Sequence, residues 1–180
     1  RLWSWIEEVR HKVADDYSPQ TLDACILDWR TRANTRRTWG VWRGDEVGGA
    51  ISFEPWATAD VGVTHALFRR DFWGRETTET ALGMVYEQLF GSGVRKILVF
   101  PFRENNAIMA LTKRMGFQTE GTLRQQTIRD GKPVDVIVLG FLKEDFYRCR
   151  CSHSPPAASS PASSETASPP EPKPAVQRQP

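Results

Sequence analysis

Hydrophobic positions at the start of the chain recur at the spacing of an amphipathic helix. The first predicted helix ends near Asp15, and one face carries Leu2, Trp5, Ile6, Val9 and Val13. A second helix is predicted after Ser18, which we assign as its N-cap with Pro19 at the first helical position. Its inner face carries Leu22, Cys25, Ile26 and Trp29. The chain is therefore expected to open with two helices.

The pattern then changes to the alternation that is typical of strands. Residues 38–42, 47–54 and about 60–68 are predicted strands, and a turn at 43–46 joins the first two. In the second strand, Ile51 and Phe53 alternate with Ser52 and Glu54, as expected for a strand with one buried face.

The second half of the chain alternates between helices and strands. A helix is predicted over 76–90, a strand covered on both faces over 96–102, and a short helix over 105–115 that ends at Gly116. Two last strands, about 117–129 and 134–142, are joined by the turn Asp130-Gly131. The order αα-βββ-α-β-α-ββ predicts an α/β (α+β) fold with a central mixed sheet.

Composition divides the chain into a folded domain over 1–148 and a tail over 149–180. Pro, Ala, Ser and Thr dominate the tail, and such a segment cannot bury enough apolar surface to order itself, so we expect it to be disordered. The tail could bind an assembly partner.

Charge and cysteine content exclude several classes of protein. The 24 basic and 22 acidic residues give a net charge of +2, which argues against a dedicated nucleic-acid binder. The one dense basic segment, Arg30, Arg32, Arg36 and Arg37, is more often a solvated helix end. Cys149 and Cys151 are too close for a zinc half-site, so no metal is expected. Because we find no signal peptide and no apolar run of membrane-spanning length, we expect a cytoplasmic protein with no membrane partner.

The segment 73–78 opens the long central helix and is a candidate phosphate site. A helix N-terminus presents unpaired N–H groups and a partial positive charge, which suit a pyrophosphate. The alternative is that Asp71 or Thr77 merely caps a structural helix.

Residues 71–82, read with 105–117, resemble the cofactor-binding motifs of the GNAT acetyltransferases. The resemblance extends over about 38–146 and is to the ribosomal-protein N-terminal acetyltransferase (RimJ/RimL-like) branch. It implies a splayed, mixed β-sheet flanked by helices. It also implies acetyl-CoA as co-substrate and direct attack by a primary amine, either a protein N-terminus or a small amine, in a ternary complex.

The resemblance also implies which residues hold the cofactor. The pyrophosphate loop comprises Trp73, Gly74, Arg75, Thr77 and Thr78. Asn105 matches the residue that hydrogen-bonds the pantetheine arm, although it could equally be a helix N-cap. Backbone N–H groups around Ala66, Leu67 and Phe68 would meet the oxyanion.

Three positions depart from the branch, and one of them is Thr78, where the branch has Gly or Ala. Glu76 occupies a place where the branch has Gly, and it brings a negative charge towards two phosphates. Ile108 occupies the place of a Ser that could protonate the departing thiolate, and a hydrocarbon side chain cannot do so. A non-catalytic GNAT-fold binding or structural module is therefore the alternative function.

Acetylation of an amine also requires a general base, for which Glu54 and His65 are the candidates. Both lie on strands that border the expected cofactor cleft, and histidine titrates in the useful range. The alternatives are a surface carboxylate for Glu54 and a core histidine for His65. Glu104 and Glu120 are weaker acidic candidates.

Overall fold

The computed structural model describes residues 2–153, so most of the predicted tail, from residue 154 on, lies outside the described residues. The elements are α1 (Leu2–Val13), α2 (Leu22–Arg32), β1 (Arg37–Arg43), β2 (Glu46–Trp56), β3 (Thr58–Phe68), α3 (Arg75–Gly91), β4 (Lys96–Val99), α4 (Asn106–Met115), β5 (Gln118–Arg129), β6 (Lys132–Leu142) and α5 (Lys143–His153). A single 3-10 turn, Arg70–Phe72, precedes α3. The predicted order is confirmed, and α5 is an addition to it. No helix within residues 2–153 is both long and apolar enough to cross a membrane.

Six strands form one mixed sheet in the order β1-β2-β3-β4-β6-β5. Only the pair β3–β4 is parallel, and every other neighbouring pair is antiparallel. The parallel pair lies in the middle of the sheet, so the connection between its strands must cross over, and α3 makes that crossover.

The core lies between α3 and one face of the sheet. Ile51 and Phe53 of β2 are fully buried there with Leu89 of α3 and Phe141 of β6. Glycine is required opposite Phe53, because a Cβ on Gly62 would lie 2.3 Å from the phenyl ring. The core thus uses one face of β2 and leaves the face that carries Ser52 and Glu54 for other contacts.

Tyr86 brings the one strongly polar group of α3 into this core. Its hydroxyl lies 3.2 Å from Thr64 Oγ1, and burial raises the pKa of Tyr86 to about 12. A phenol held in this way stays protonated at neutral pH and satisfies a buried threonine.

The linker between α1 and α2 docks on the β5–β6 hairpin. The Asp16 carboxylate accepts the N–H groups of Asp130 and Gly131, each at 2.9 Å. Both turn residues have positive φ, 51° and 70°, as a two-residue hairpin turn requires. The predicted Asp130-Gly131 turn is confirmed, and Asp16 is the contact that fixes it to the N-terminal helices.

The predicted N-cap of the second helix is wrong. Thr21 caps α2 by accepting the N–H of Ala24 at 3.2 Å, so Pro19 lies outside the helix. Ser18 instead donates to Asp15 Oδ1 at 2.8 Å and accepts the Asp15 N–H at 3.1 Å. The other carboxylate oxygen of Asp15 accepts a hydrogen bond from the Thr127 hydroxyl on β5. Ser18 therefore closes the linker turn on a carboxylate that is already bound to the sheet.

The last helix, α5, packs on the core through Phe146. That ring is 4% exposed, and its centroid lies 5.2 Å from that of Phe90 on α3. The helix runs to His153, beyond the boundary predicted at residue 148. Its remaining sequence is strongly polar, which is why periodicity did not predict it.

Candidate active site

The sheet splits beside β3. Strands β3 and β4 pair only from Val61–Lys96 to Val63–Leu98. Beyond that point the chain leaves β3 but continues along β6, its other neighbour, where Pro101 O accepts the N–H of Ile137 at 2.9 Å and Phe102 forms a bridge with Val136. Residues 64–68 of β3 keep their ladder with β2 but have no strand partner on the side of β4 within the described chain.

This split corrects the strand predicted over 96–102. The regular strand ends at Val99, and Pro101 and Phe102 are buried beside β6 instead of continuing the pairing with β3. The result is a wedge-shaped opening in the sheet, with one edge of β3 available for hydrogen bonds from a ligand.

The N-terminus of α3 lies just after the open edge of β3. Gly74 is its N-cap, with φ 157° and ψ 151°, a backbone conformation that is essentially restricted to glycine. The first helical hydrogen bond joins the Thr78 N–H to Gly74 O at 2.9 Å. The N–H groups of residues 75–77 therefore precede the helical ladder, and no side chain of Gly74 covers them.

The loop before α3 is fixed to the end of β3. Trp73 Nε1 donates to Phe68 O at 2.8 Å, and Phe72 packs fully buried against Gly48. Trp73 is 43% exposed, while Leu67 and Phe68 are half-buried and buried. The predicted cofactor residues 67, 68, 73 and 74 are thus close in space.

The charged residues of this loop differ in whether their side chains are held in ion pairs or exposed to solvent. Arg69 is held by ion pairs with Asp71 and Glu46, and its hydrogen bonds lower the pKa of Asp71 to about 2. Arg70 and Glu76 are exposed, and only the backbone of Arg75 is described. Thr77 and Thr78 are half-buried in the first turn of α3.

Asn105 lies across the opening, at the start of α4. Its side-chain oxygen accepts the N–H of Ile108 at 3.3 Å, so it is the N-cap of that helix. An ion pair of 2.7 Å between Arg114 and Glu79 joins α4 to α3. Ile108 is half-buried and brings no proton donor to this helix end.

The two base candidates share the face of the sheet opposite α3. Glu54 is paired with Val63, and His65 with Ser52, so their side chains are diagonal neighbours on adjacent antiparallel strands. His65 lies at the start of the segment where β3 loses its β4 partner. The two predicted residues are therefore brought together at the end of the opening away from α3.

Glu54 is held by two arginines, Arg32 at the end of α2 and Arg36 in the segment that follows it. Arg36 Nη2 donates to Glu54 Oε2 at 3.0 Å, and Arg32 Nη1 lies 3.3 Å from Oε1. Arg32 also pairs with Asp28 at 2.9 Å. Partial burial disfavours the charged form of Glu54, but the hydrogen bonds and charges of Arg36 and Arg32 outweigh it and lower its pKa. A carboxylate in this state is a weak base.

His65 is neutral at physiological pH for a related reason. Desolvation by the surrounding protein lowers the pKa of His65, and the positive charge of Arg36 lowers it further. His65 is nonetheless exposed to solvent. The negative charge of Glu54 opposes the shift without cancelling it.

An aromatic pair lies at the end of β2. The ring of Trp56, at the end of β2, has its centroid 4.7 Å from that of Phe100, which follows β4. Trp56 is 46% exposed. We call these two rings the aromatic wall, and sequence analysis does not assign them to the site.

Sequence reasoning also missed the role of Arg32 and Arg36. The basic segment is not simply the solvated helix end that its composition favours, because two of its residues form ion pairs with Glu54. Arg37 of the same segment lies over the Phe53 ring on the opposite face. The weaker acidic candidates are elsewhere: Glu104 pairs with Arg129, and Glu120 with Lys96. Within residues 2–153, no group of three or more His, Cys, Asp and Glu side chains is arranged to hold a metal ion.

Comparison with known proteins identifies the fold. No family model matches the chain. No curated protein matches it in sequence. Solved structures do match.

A ribosomal-protein-alanine N-acetyltransferase from Brucella melitensis is similar with a TM-score of 0.57 and 20% identity, over 67% of this chain and 76% of that one. The spermidine/spermine N-acetyltransferase SpeG from Vibrio cholerae is similar with a TM-score of 0.67 and 15% identity, over 82% and 91%. A GNAT-family acetyltransferase from Streptococcus pneumoniae is similar with a TM-score of 0.54 and 19% identity, over 66% and 74%. The chain therefore has the GNAT fold.

Proposed function

We propose that this protein is an N-acetyltransferase that moves an acetyl group from acetyl-CoA to a primary amine. The observation that carries the proposal is the split between β3 and β4, which lies directly before the uncovered N-terminus of α3. Together they offer an extended hydrogen-bonding edge followed by an anion site, and acetyl-CoA has an amide-containing arm followed by a pyrophosphate.

The described residues fit acetyl-CoA at both ends of the opening. At the phosphate end, no atom lies within 4 Å of a Cβ built on Gly74, so a phosphate can approach the backbone there. The N–H groups of residues 75–77 and the helix dipole would hold it. Along the opening, the free edge of β3 at 64–68 would bind the pantetheine arm, with Asn105 on the opposite side.

His65 is the general base in this proposal. Acetyl-CoA supplies an activated thioester, and the acceptor must attack its carbonyl carbon as a neutral amine. The imidazole of His65 is neutral at pH 7, so it can take the amine proton directly or through a water. Backbone N–H groups at 66–68 would stabilise the oxyanion until the C–S bond breaks.

Glu54 is not the base in this proposal, although it stays in the site. Its pKa is lowered and both of its oxygens are engaged by Arg36 and Arg32. Taking a proton would weaken those ion pairs. Its role is to position the arginines beside His65.

The leaving thiolate has no protein acid at Ile108 and would be protonated by water. Thiolates of this class are stable enough to leave unaided, but without a positioned donor the step is slower. We therefore expect chemistry, and not product release, to limit turnover, so that no burst of free thiol precedes the steady state.

The alternative is a GNAT-fold module that binds a ligand or partner without catalysis. Glu76 at the phosphate site and Ile108 at the leaving-group site favour it. The names of the similar structures point to two acceptor classes, a ribosomal protein and a polyamine. Both acceptors are primary amines, and the proposal includes protein N-termini and small amines.

The test is acceptor-dependent release of free thiol from acetyl-CoA, with mass spectrometry to identify the acetylated amine. A mixture of peptides with free N-termini, together with spermidine, covers both acceptor classes. We expect thiol release that requires an acceptor and falls about 10²–10⁴-fold in His65→Gln. Arg30→Gln, an exposed change on α2, is the matched control. Binding of acetyl-CoA with no turnover of any acceptor would favour the non-catalytic module.

A further inference from the structure

The charges around His65 restrict what the acceptor amine can carry, and this inference rests on the proposed function. Two carboxylates, Asp28 and Glu54, lie in one ion-pair network with Arg32 and Arg36. Each carboxylate is engaged by both arginines, and the Asp28 and Glu54 side chains are 32% and 24% exposed, less than the 49% of Arg32. A polycationic acceptor gains little from either of them.

The arginines of this network differ in exposure. Arg36 has 10% of its side chain exposed and lies beneath the surface, whereas Arg32 has 49% exposed. The Arg32 bonds to Glu54 are long, at 3.3 and 3.4 Å, while its bond to Asp28 is short at 2.9 Å. The group that an incoming acceptor meets on the α2 side is therefore the guanidinium of Arg32, held in place by Asp28.

The distance from the Arg32 guanidinium to His65 limits how far apart the amine and a second polar group of the acceptor can be. Glu54 and His65 are diagonal neighbours, whose Cβ atoms are about 7–8 Å apart or less. Arg32 contacts the Glu54 carboxylate. When the acceptor amine lies at His65, a side chain about one or two residues further along an extended acceptor can reach Arg32, since each residue spans about 3.3–3.6 Å.

We propose that the acceptor carries a carboxylate close to its amine, that Arg32 binds this carboxylate, and that polyamines are poor acceptors. The same chemistry occurs in a polypeptide with an acidic residue in its first two positions and in a free acidic amino acid. Arg32 is then a specificity-determining residue. The aromatic wall of Trp56 and Phe100 would contact the apolar part of such an acceptor.

The test compares kcat/KM for peptides that differ only at the second position, Ala-Asp, Ala-Asn and Ala-Lys, together with spermidine and free aspartate. We expect Asp to exceed Asn, and Asn to exceed Lys, each by roughly fivefold to twentyfold for one charge about 5 Å from Arg32. The free amino acid distinguishes a small-molecule acceptor from a polypeptide. Added salt should reduce the differences, because Arg32 is exposed.

Two variants make the test specific. Arg32→Gln should bring the three peptides close together, and Arg32→Glu should reverse their order. Arg30→Glu makes the same charge change on the same helix and should leave the order as in the wild type. Because Arg32 is half-exposed, we expect its variants to fold, and their melting curves check this.

The outcomes separate this inference from the proposed function. A wild-type preference for Ala-Lys or spermidine, or an unchanged order in Arg32→Glu, would overturn the role of Arg32. Binding of acetyl-CoA without turnover of any of these acceptors would overturn it too, while the cofactor half of the proposed function would stand. Failure to bind acetyl-CoA would overturn the proposed function itself, and this inference with it.

Discussion

Arg36 donates from Nη2 to Oε2 of Glu54 at 3.0 Å, although only 10% of the arginine side chain and 24% of the glutamate side chain are exposed. The Nε of Arg36 is buried and has no hydrogen-bond partner within the described residues. This pair connects the segment after α2 to the end of β2. There Glu54 is a diagonal neighbour of His65 on the adjacent strand. It is both a structural contact and the source of the charge that acts on the histidine.

Replacing Glu54 should therefore lower the stability of the protein more than it lowers the rate of acetyl transfer. Glu54→Gln removes the charge of the closest partner of the largely buried Arg36 and leaves the longer pair with Asp28 at 3.9 Å, so we expect a loss of about 1–3 kcal/mol in the free energy of unfolding. Urea denaturation measures it. Glu104→Gln is the matched control, because Glu104 is 71% exposed and its pair with Arg129 is long at 3.5 Å. The control should change stability by less than about 1 kcal/mol.

The same pair predicts a pH dependence of stability. The pKa of Glu54 is lowered in the folded protein, so its contribution is complete above the ordinary value of 4.5 and is lost as pH falls through the folded value. The stability difference between wild type and Glu54→Gln should therefore shrink as pH falls below about 4.5. A difference that stays constant to pH 3 would show that the ion pair is not its origin.

The activity of the wild type should rise with pH along a limb that lies below the ordinary histidine value. The pKa of His65 is lowered from 6.5, and the neutral imidazole is the active form, so half-maximal kcat/KM is expected below pH 6.5. Arg36→Gln removes the cation that lowers this pKa and leaves Glu54 to raise it. The limb should therefore move to higher pH in this variant, and a limb that stays in place would contradict the effect of Arg36 on the pKa of His65.

Alanine substitution should have opposite effects on stability at Gly74, the N-cap of α3, and at Gly83, inside the helix. Gly74→Ala forces a side chain into φ 157°, which should cost about 1–3 kcal/mol, and it should also weaken acetyl-CoA binding. Gly83 lies inside α3, and a Cβ there meets nothing within 4 Å. Gly83→Ala should therefore stabilise by about 0.4–1 kcal/mol. Melting curves with and without acetyl-CoA measure both effects, and equal behaviour of the two variants would contradict the assigned backbone.

Glu76 should affect the free and the bound protein in opposite directions. A carboxylate in the first turn interacts favourably with the positive end of the helix dipole. Glu76→Gln should therefore lower stability slightly in the absence of ligand, by about 0.3–1 kcal/mol. The same charge repels a nearby phosphate, so the variant should bind acetyl-CoA about twofold to tenfold more tightly. Weaker binding in the variant would place Glu76 away from the phosphates.

The order of elements could be predicted from the sequence because each element has a local signal. Periodicity predicts α3 and α4, and alternation predicts β2. The split of the sheet has no such signal, because residues 100–102 are as apolar as a strand and only their contact with β6 decides their direction. The sequence does not predict helix α5 because most of its residues are polar, although Phe146 is buried in the core and Cys149 packs against Gly116.

Local patterns reveal candidate residues of a site but not how they interact. Glu54 and His65 could be selected because they lie on predicted strands at a suitable edge. Their chemistry depends on Arg32 and Arg36, which are distant in sequence and contact Glu54 only in the folded chain. The arginine segment was visible in the sequence, but its ion-pair partner was not.

The measurement that tests the central claim most directly is a calorimetric titration of the protein with acetyl-CoA, made in parallel with Gly74→Ala. The claim is that the split between β3 and β4, together with the N-terminus of α3, forms an acetyl-CoA site. It predicts saturable binding to one site in the wild type and clearly weaker binding in Gly74→Ala. No heat and no saturation at about millimolar acetyl-CoA, which corresponds to a binding free energy weaker than about 4 kcal/mol, would contradict it.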